Sequence, residues 1–291
     1  MSFIRWNGAF VRDMWAGVPV VSKDPTDLSG LRGEDVVPET LNDILTWAYV
    51  EKVEGTHKYL VLYEPSDPTA TACQVTIRLQ GYVFACQLSA LGDWDRTETG
   101  AARAEQTLTL HAGGQKEPYM AQLQTVNNLF ELIRRSVDAR SSPGAKDRLL
   151  LLQRRVFDKN TSSDAVTLPA MPGESRRADA AKIKHAWTPK RAIEIAVQRE
   201  DNKIVLANRL LVRRGDFVDV TATFDVFTLV RDRRRELRVY MSMQRIIRLK
   251  EQAWVSEPKE IKAGTSAPPA KSVPVKETFA IDDVEGMMDQ S

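Results

Sequence analysis

The chain has 291 residues, 43% of them hydrophobic and 27% charged, with a formal net charge of +2, which is long enough for one large or two ordinary domains and apolar enough for a real core. No stretch approaches the ~18 consecutive apolar residues of a membrane helix, the opening Met-Ser-Phe-Ile-Arg-Trp-Asn-Gly lacks a secretory apolar core, and Cys73 and Cys86 alone make no disulfide framework, so the expectation is an intracellular protein of nucleus or cytoplasm with no membrane partner. The small total hides a segregation: residues 1–133 carry −7, residues 134–250 carry +13 and residues 251–291 carry −4, an asymmetry that points to a polyanionic partner for the middle of the chain.

Residues 1–37 mix Trp6, Phe10, Trp15 and the run Val18-Pro19-Val20-Val21 with turn formers, and read as an extended arm or short strands. From Pro38 to about Val53 the spacing predicts a helix, with Pro38 near its first turn and Leu41, Ile44, Leu45 and Ala48 on one face. Strand follows around Tyr59–Tyr63. Cys73, Val75, Ile77 and Leu79 alternate with Gln74, Thr76 and Arg78, and Tyr82, Phe84, Cys86 and Leu88 continue the alternation. Gln80-Gly81 between them predicts a hairpin turn, with both cysteines as core or half-buried strand residues.

Pro118 to Val137 is the strongest helix signal. Leu123, Val126, Phe130, Ile133 and Val137 fall at helical spacing, and Arg134 and Arg135 suit the negative end of the helix dipole. Ser141-Ser142-Pro143-Gly144 stops it. Leu149–Leu152 is a short apolar run. Residues 158–190 are polar, with Pro169, Pro172, Gly173 and Pro189, and predict a long loop whose inner part, Arg176–Lys184, forms a short helix.

Beyond the loop the pattern is that of strands. Ile193, Ile195 and Val197 alternate, Glu200-Asp201-Asn202 turns the chain, Ile204–Val212 follows and Gly215-Asp216 turns it again. Val218, Val220, Ala222, Phe224 and Val226 then alternate strictly with Asp219, Thr221, Thr223 and Asp225, and Thr221 and Thr223 are expected on the exposed side. Past a charged tip at Arg231–Arg235, Leu237, Val239, Met241 and Met243 alternate with Arg238, Tyr240, Ser242 and Gln244. Short connections favour antiparallel pairing. The expected fold class is α+β, mainly β, with an antiparallel sheet or small OB-like barrel in the C-terminal half and a disordered C-terminal tail. The expected regions are an acidic N-terminal α+β region, 1–140, a basic β-rich region, 148–254, and a linker with acidic tail, 255–291.

Catalytic and metal signatures are weak. His57, His111 and His185 are far apart and have no ligand-spaced Cys or His beside them. Asp93-Trp94-Asp95 and Glu98 lack the third ligand and glycine of a calcium loop, and a solvated turn is the simpler reading. The chain has no G-x-S-x-G, no Walker A sequence and no G-x-G-x-x-G. No metal, no cofactor and no enzymatic activity are expected.

The basic constellation carries more. Arg213, Arg214, Arg231, Arg233, Arg234, Arg235, Arg238 and Arg245 lie in or beside the strands, and guanidinium both grips phosphate bidentately and stacks on bases. Arg238 and Tyr240 share the face opposite the apolar one. A sheet face with cations and an aromatic residue holds single strands by charge and stacking; the plainer reading is that exposed arginines keep strand edges soluble. A basic β region, the Pro/Ala/Lys linker around Ala267-Pro268-Pro269-Ala270 and the acidic end Asp282-Asp283…Asp289 resemble the layout of single-stranded DNA-binding proteins over the last third of the chain, although this chain ends Asp289-Gln290-Ser291 rather than in that family's Pro-Phe. The expectation is therefore nucleic-acid binding without catalysis, favouring single strands, with the tail 277–291 as a contact for a protein partner. The alternative is a coat-like or nucleocapsid-like scaffold that self-assembles as a homo-oligomer, with Trp6, Phe10 and Trp15 in an exchanged arm.

Overall fold

The strict alternation from Val218 to Val226 becomes one arm of a long hairpin in the computed structural model, which describes residues 2–18, 35–67, 69–137, 140–141, 149–160, 174–231 and 234–252. In chain order the elements are β1 (Phe3–Trp6), β2 (Ala9–Phe10), β3 (Val36–Val37), α1 (Leu41–Trp47), β4 (Ala48–Lys52), β5 (Lys58–Tyr63), β6 (Cys73–Gln74), β7 (Thr76–Gln87), α2 (Glu98–Ala101), β8 (Glu105–His111), α3 (Lys116–Ser136), β9 (Arg140–Ser141), β10 (Leu150–Arg155), β11 (Phe157–Lys159), α4 (Glu174–Lys182), β12 (Trp187–Pro189), β13 (Glu194–Gln198), β14 (Ile204–Leu206), β15 (Phe217–Arg231) and β16 (Arg234–Lys250).

The principal sheet is 11-stranded and runs β10-β8-β7-β15-β16-β13-β14, with β4, β5 and β6 joined to β15 through β5, and β9 joined to β16. Its pairings are antiparallel except those of β16 with β13 and β9, which are parallel. β10 also lies against β16, so the path from β10 to β16 curls back on itself as a small barrel does. The expected mainly β, antiparallel-rich architecture is what forms, though the sheet is not confined to the C-terminal half. Its strands come from both sides of residues 138–148, and Met1–Gln252 is one compact unit, so the expected boundary near residue 140 is not a break in the sheet. The linker and tail, 255–291, including 277–291, lie outside the described residues.

Leu79, Leu108, Leu110, Val218 and Val220 are wholly buried inside the curl, and each such side chain contributes about 1.5–3 kcal/mol by leaving water. α3 closes the inner end with Leu123, Val126, Leu129 and Ile133 turned inward. Two polar residues fix its position. The Tyr119 hydroxyl donates to Leu110 O at 2.6 Å and accepts from Leu150 N at 2.7 Å, tying α3 to β8 and β10. The Gln122 amide accepts from Gln80 N at 2.6 Å and donates to Gln80 O at 2.8 Å, tying α3 to β7.

Several expectations are corrected. The run 73–88 is not a hairpin: β7 continues straight through Gly81. A Cβ there would meet Leu110 Cβ at 3.1 Å and His111 O at 3.2 Å, so this glycine permits close approach by β8 rather than a turn. Cys73 and Cys86 consequently sit at opposite ends of the β6–β7 run, the first exposed and the second half-buried, both as free thiols. The helix expected over 38–53 ends at Trp47, because Ala48–Lys52 pairs with β5. The strand expected over 204–212 stops at Leu206, and Asn208 caps a short 3-10 turn over Arg209–Leu211. The part of 158–190 that is described holds β11, α4 and β12 around a second apolar cluster of Leu91, Ala101, Ala104, Val156, Phe157, Ala180 and Ile183. The turn at 142–144 and the residues Pro169, Pro172 and Gly173 lie outside the described residues.

The polar face of β15 is not simply exposed. Asp219 is buried, receiving Arg78 Nε at 3.1 Å, Arg78 Nη2 at 2.6 Å and Gln80 Nε2 at 2.6 Å. The N-terminal arm covers this side. Ser2 bridges to Ile77, the Arg78 guanidinium lies 5.1 Å from the Phe3 ring centre, and Trp15 packs on Phe217 at 4.9 Å. Phe10 and Trp15 are buried against their own chain.

Candidate functional site

Continuing the alternation of β15 past Asp225 puts Phe227 on the outer face, opposite Arg238, while Asp225 stands opposite Tyr240. The Phe227 and Tyr240 rings stack with centres 5.6 Å apart and planes inclined by 28°. The Arg155 guanidinium, from the end of β10, lies over the Phe227 ring at 4.8 Å. All four side chains, Arg155, Phe227, Arg238 and Tyr240, are half-buried, whereas Arg235 nearer the hairpin tip is exposed. Arg238 Nη2 stands 2.9 Å from Glu236 Oε1. This end of the hairpin therefore offers a fixed aromatic pair with guanidinium groups around it, an arrangement suited to a flat π-system carrying negative charge.

A second group forms at the other end of β15. The backbone ties Gly215 N to Val83 O at 2.7 Å and Val83 N to Asp216 O at 2.8 Å. The turn preceding β15 is held by the buried Asp216 carboxylate, which accepts from Arg213 N at 2.9 Å and Gln252 N at 3.1 Å. Gly215, at φ +88°, supplies the left-handed conformation that this turn needs. The turn sets Arg214 beside β7, with its guanidinium 5.3 Å from the centre of the exposed Phe84 ring. His111 meets Phe84 edge-on at 6.1 Å, and burial, with the Arg214 charge second, holds its imidazole below the ordinary value.

The sequence-predicted residues thus divide. Arg238 and Tyr240 share one face of the distal half of the hairpin, whereas Arg235, exposed nearer the tip, falls in the set that alternates with them. Arg213 and Arg214 are exposed at its base. Arg245 lies between, with Nε 2.7 Å from Glu194 Oε1. Arg231 and Arg234 are register partners across the tip, and Arg233 lies outside the described residues. Phe227, Arg155, Phe84 and His111 were missed. Phe227 was within reach, since the β15 alternation extended by one step places it on the Tyr240 face. Arg155 was not, because only the curl of the sheet brings β10 to β16.

The acidic group considered for a cation serves the backbone instead. Asp93 Oδ1 accepts from Glu105 N at 2.7 Å, and Asp95 Oδ1 accepts from Thr97 N at 2.8 Å. That backbone bond, with the Thr97 hydroxyl second, holds the Asp95 carboxyl below its usual range. Among the described residues, no three His, Cys, Asp or Glu side chains are grouped as a metal site needs, and no helix is long and apolar enough to cross a membrane.

No protein-family model matches the chain, and no curated protein matches it in sequence. Among solved structures it is similar to the single-stranded DNA-binding protein of bacteriophage Enc34, at 9% identity over 73% of this chain and 94% of that one with a TM-score of 0.29. The same protein in complex with single-stranded DNA gives 9% identity over 70% and 97%, with a TM-score of 0.30. The single-stranded DNA-binding protein gp2.5 of bacteriophage T7 gives 10% identity over 64% and 98%, with a TM-score of 0.31.

Proposed function

We propose that this chain binds single-stranded nucleic acid on the outer face of the β15–β16 hairpin and catalyses no reaction on it. The observation that carries the reading is the Phe227–Tyr240 stack with Arg155 over it. A base stacks on an aromatic ring whatever its identity, and guanidinium groups beside the ring meet the phosphates on either side. Arg238 stands opposite Phe227 beside the stack, and Arg231, Arg234 and Arg235 lie toward the hairpin tip. A duplex keeps its bases stacked on each other, so the aromatic pair favours unpaired strands.

The test is the anisotropy of a labelled oligonucleotide across a salt series. Affinity falls with salt at a log–log slope of about −0.7 per phosphate neutralised on a single strand. Tyr240→Ala costs about 1–3 kcal/mol of binding and leaves that slope unchanged, because stacking releases no counterions. Absence of binding at low salt, or a flat salt response, overturns the reading.

A further inference from the structure

We propose that Phe84, with Arg214 beside it, is a second stacking station for single-stranded nucleic acid, separate from the one at Tyr240; this rests on the reading above. Phe84 is the extra residue of a β-bulge. Val83 pairs with Leu110 and Ala85 with Thr109, so Phe84 has no partner on β8. Bulges re-aim side chains, and here the ring that the alternation places with Tyr82 and Leu88 stands 44% exposed instead. An exposed phenylalanine in a sheet is unremarkable alone. What sets this one apart is its support.

The ring is the outer end of an aromatic ladder. His111 meets Phe84 at 6.1 Å and Tyr82 at 6.0 Å, Tyr82 meets Phe217 at 4.9 Å, and Phe217 meets Trp15 at 4.9 Å, where Trp15 is 4% exposed. The inner end is therefore core and the outer end is surface. Arg214 is positioned by the turn whose backbone is hydrogen-bonded to Val83 on one side and to the Asp216 carboxylate on the other. A rigid ring with a pre-placed guanidinium loses little conformational freedom when a base and its phosphate arrive. Arg213, exposed in the same turn, adds a second cation.

The two stations stand at opposite ends of β15. Phe217, under the second, and Phe227, in the first, are separated by at most ~33 Å of strand at about 3.3 Å per residue. Single-strand sites on such sheets cover roughly 4–16 nucleotides. An oligonucleotide at the short end of that range thus has the length for one station, and one at the long end has the length to reach both.

The experiment measures the binding of oligothymidylates of roughly 4 and roughly 16 nucleotides, the range of such sites, to the full chain and to Phe84→Ala, Phe84→Tyr and Tyr240→Ala. Phe84→Ala weakens the longer oligonucleotide by roughly tenfold, as loss of one stacked base does, while Phe84→Tyr restores it. A short oligonucleotide carrying 5-iododeoxyuridine cross-links at Phe84 in the Tyr240→Ala variant. If Tyr240→Ala weakens binding and Phe84→Ala leaves it unchanged at both lengths, with no cross-link at Phe84, the second station is overturned and the first stands. If the wild-type chain binds neither oligonucleotide at low salt, both readings fall together. Circular dichroism of Phe84→Ala identical to wild type separates lost binding from lost fold.

Discussion

Asp219→Ala tests how the chain is held together. The carboxylate is 1% exposed and the Arg78 side chain 4% exposed, so the pair lies under the N-terminal arm. On an exposed surface such a pair contributes less than about 1 kcal/mol. Inside, removing one partner leaves a guanidinium in the interior without its carboxylate, which costs about 3–5 kcal/mol. Gln80 Nε2, 2.6 Å from the same carboxylate, loses its acceptor as well, at about 1 kcal/mol or more. Against a global stability of about 5–15 kcal/mol, the variant stands close to unfolding. Urea denaturation followed by circular dichroism and by tryptophan fluorescence is the assay. The double variant Arg78→Met with Asp219→Leu recovers most of the loss, because no unpaired charge is left inside. A loss below about 1 kcal/mol for Asp219→Ala, the range of a surface pair, would refute both the burial and the covering arm.

Gly81→Ala forces a Cβ to 3.1 Å from Leu110 Cβ and 3.2 Å from the His111 carbonyl; overpacking of this kind costs about 1–3 kcal/mol, read as a fall in Tm, and an unchanged Tm means β7 and β8 are less close than described. Tyr119→Phe removes the hydroxyl shared by Leu110 O and Leu150 N and costs about 1–3 kcal/mol, since it leaves buried backbone groups unsatisfied. Burial pushes the Tyr119 hydroxyl up from 10.0 to about 12, so its contribution is complete below pH 10 and is lost as pH rises toward 12. Stability of wild type and Tyr119→Phe measured across that range converges at the alkaline end, and parallel curves would contradict the assignment.

How much of this was legible depends on whether each signal was local. α3 was, because Leu123, Val126 and Ile133 sit one helical turn apart and the helix supplies its own backbone bonds. So was β15, where Val218 to Val226 declare one buried face. Gly81 was not. Gln-Gly is a turn signal within its own neighbourhood, and the reason for glycine here is Leu110 on another strand. Ala48–Lys52 continued a helical spacing and was captured by β5 instead. The burial of Asp219 was not legible because its cover, the arm from Ser2 to Trp15, lies far away in sequence. Tyr240 and Arg238 were found on their face from β16 alone, whereas Arg155 needed the curl of the whole sheet.

The charge of a segment and the charge of a face are different quantities, and the difference bears on what the protein distinguishes. Residues 134–250 carry +13, yet many of their arginines are engaged within the fold. Arg154 is buried and donates to Arg191 O at 2.6 Å, Arg245 faces Glu194 at 2.7 Å and Arg248 faces Glu251 at 3.5 Å. Arg213 and Arg214 are exposed at the base of the β15–β16 hairpin, with Arg214 beside the Phe84 ring, and on the distal half Arg155 lies over Phe227 and Arg238 stands opposite it. A uniformly basic surface draws any polyanion, so duplex and single strand bind alike, with a salt slope set by the number of phosphates met. Cations placed next to rings divide the work: the cations supply attraction, and the rings respond only to bases that are unpaired. The ratio of single-strand to duplex affinity at one salt concentration is therefore the informative quantity. On the proposed reading it exceeds one for the full chain and falls toward one in Tyr240→Ala and Phe84→Ala, with the salt slope preserved. A duplex bound as tightly as a single strand of the same length by the unaltered chain would leave the rings without a role and reduce the surface to its charge.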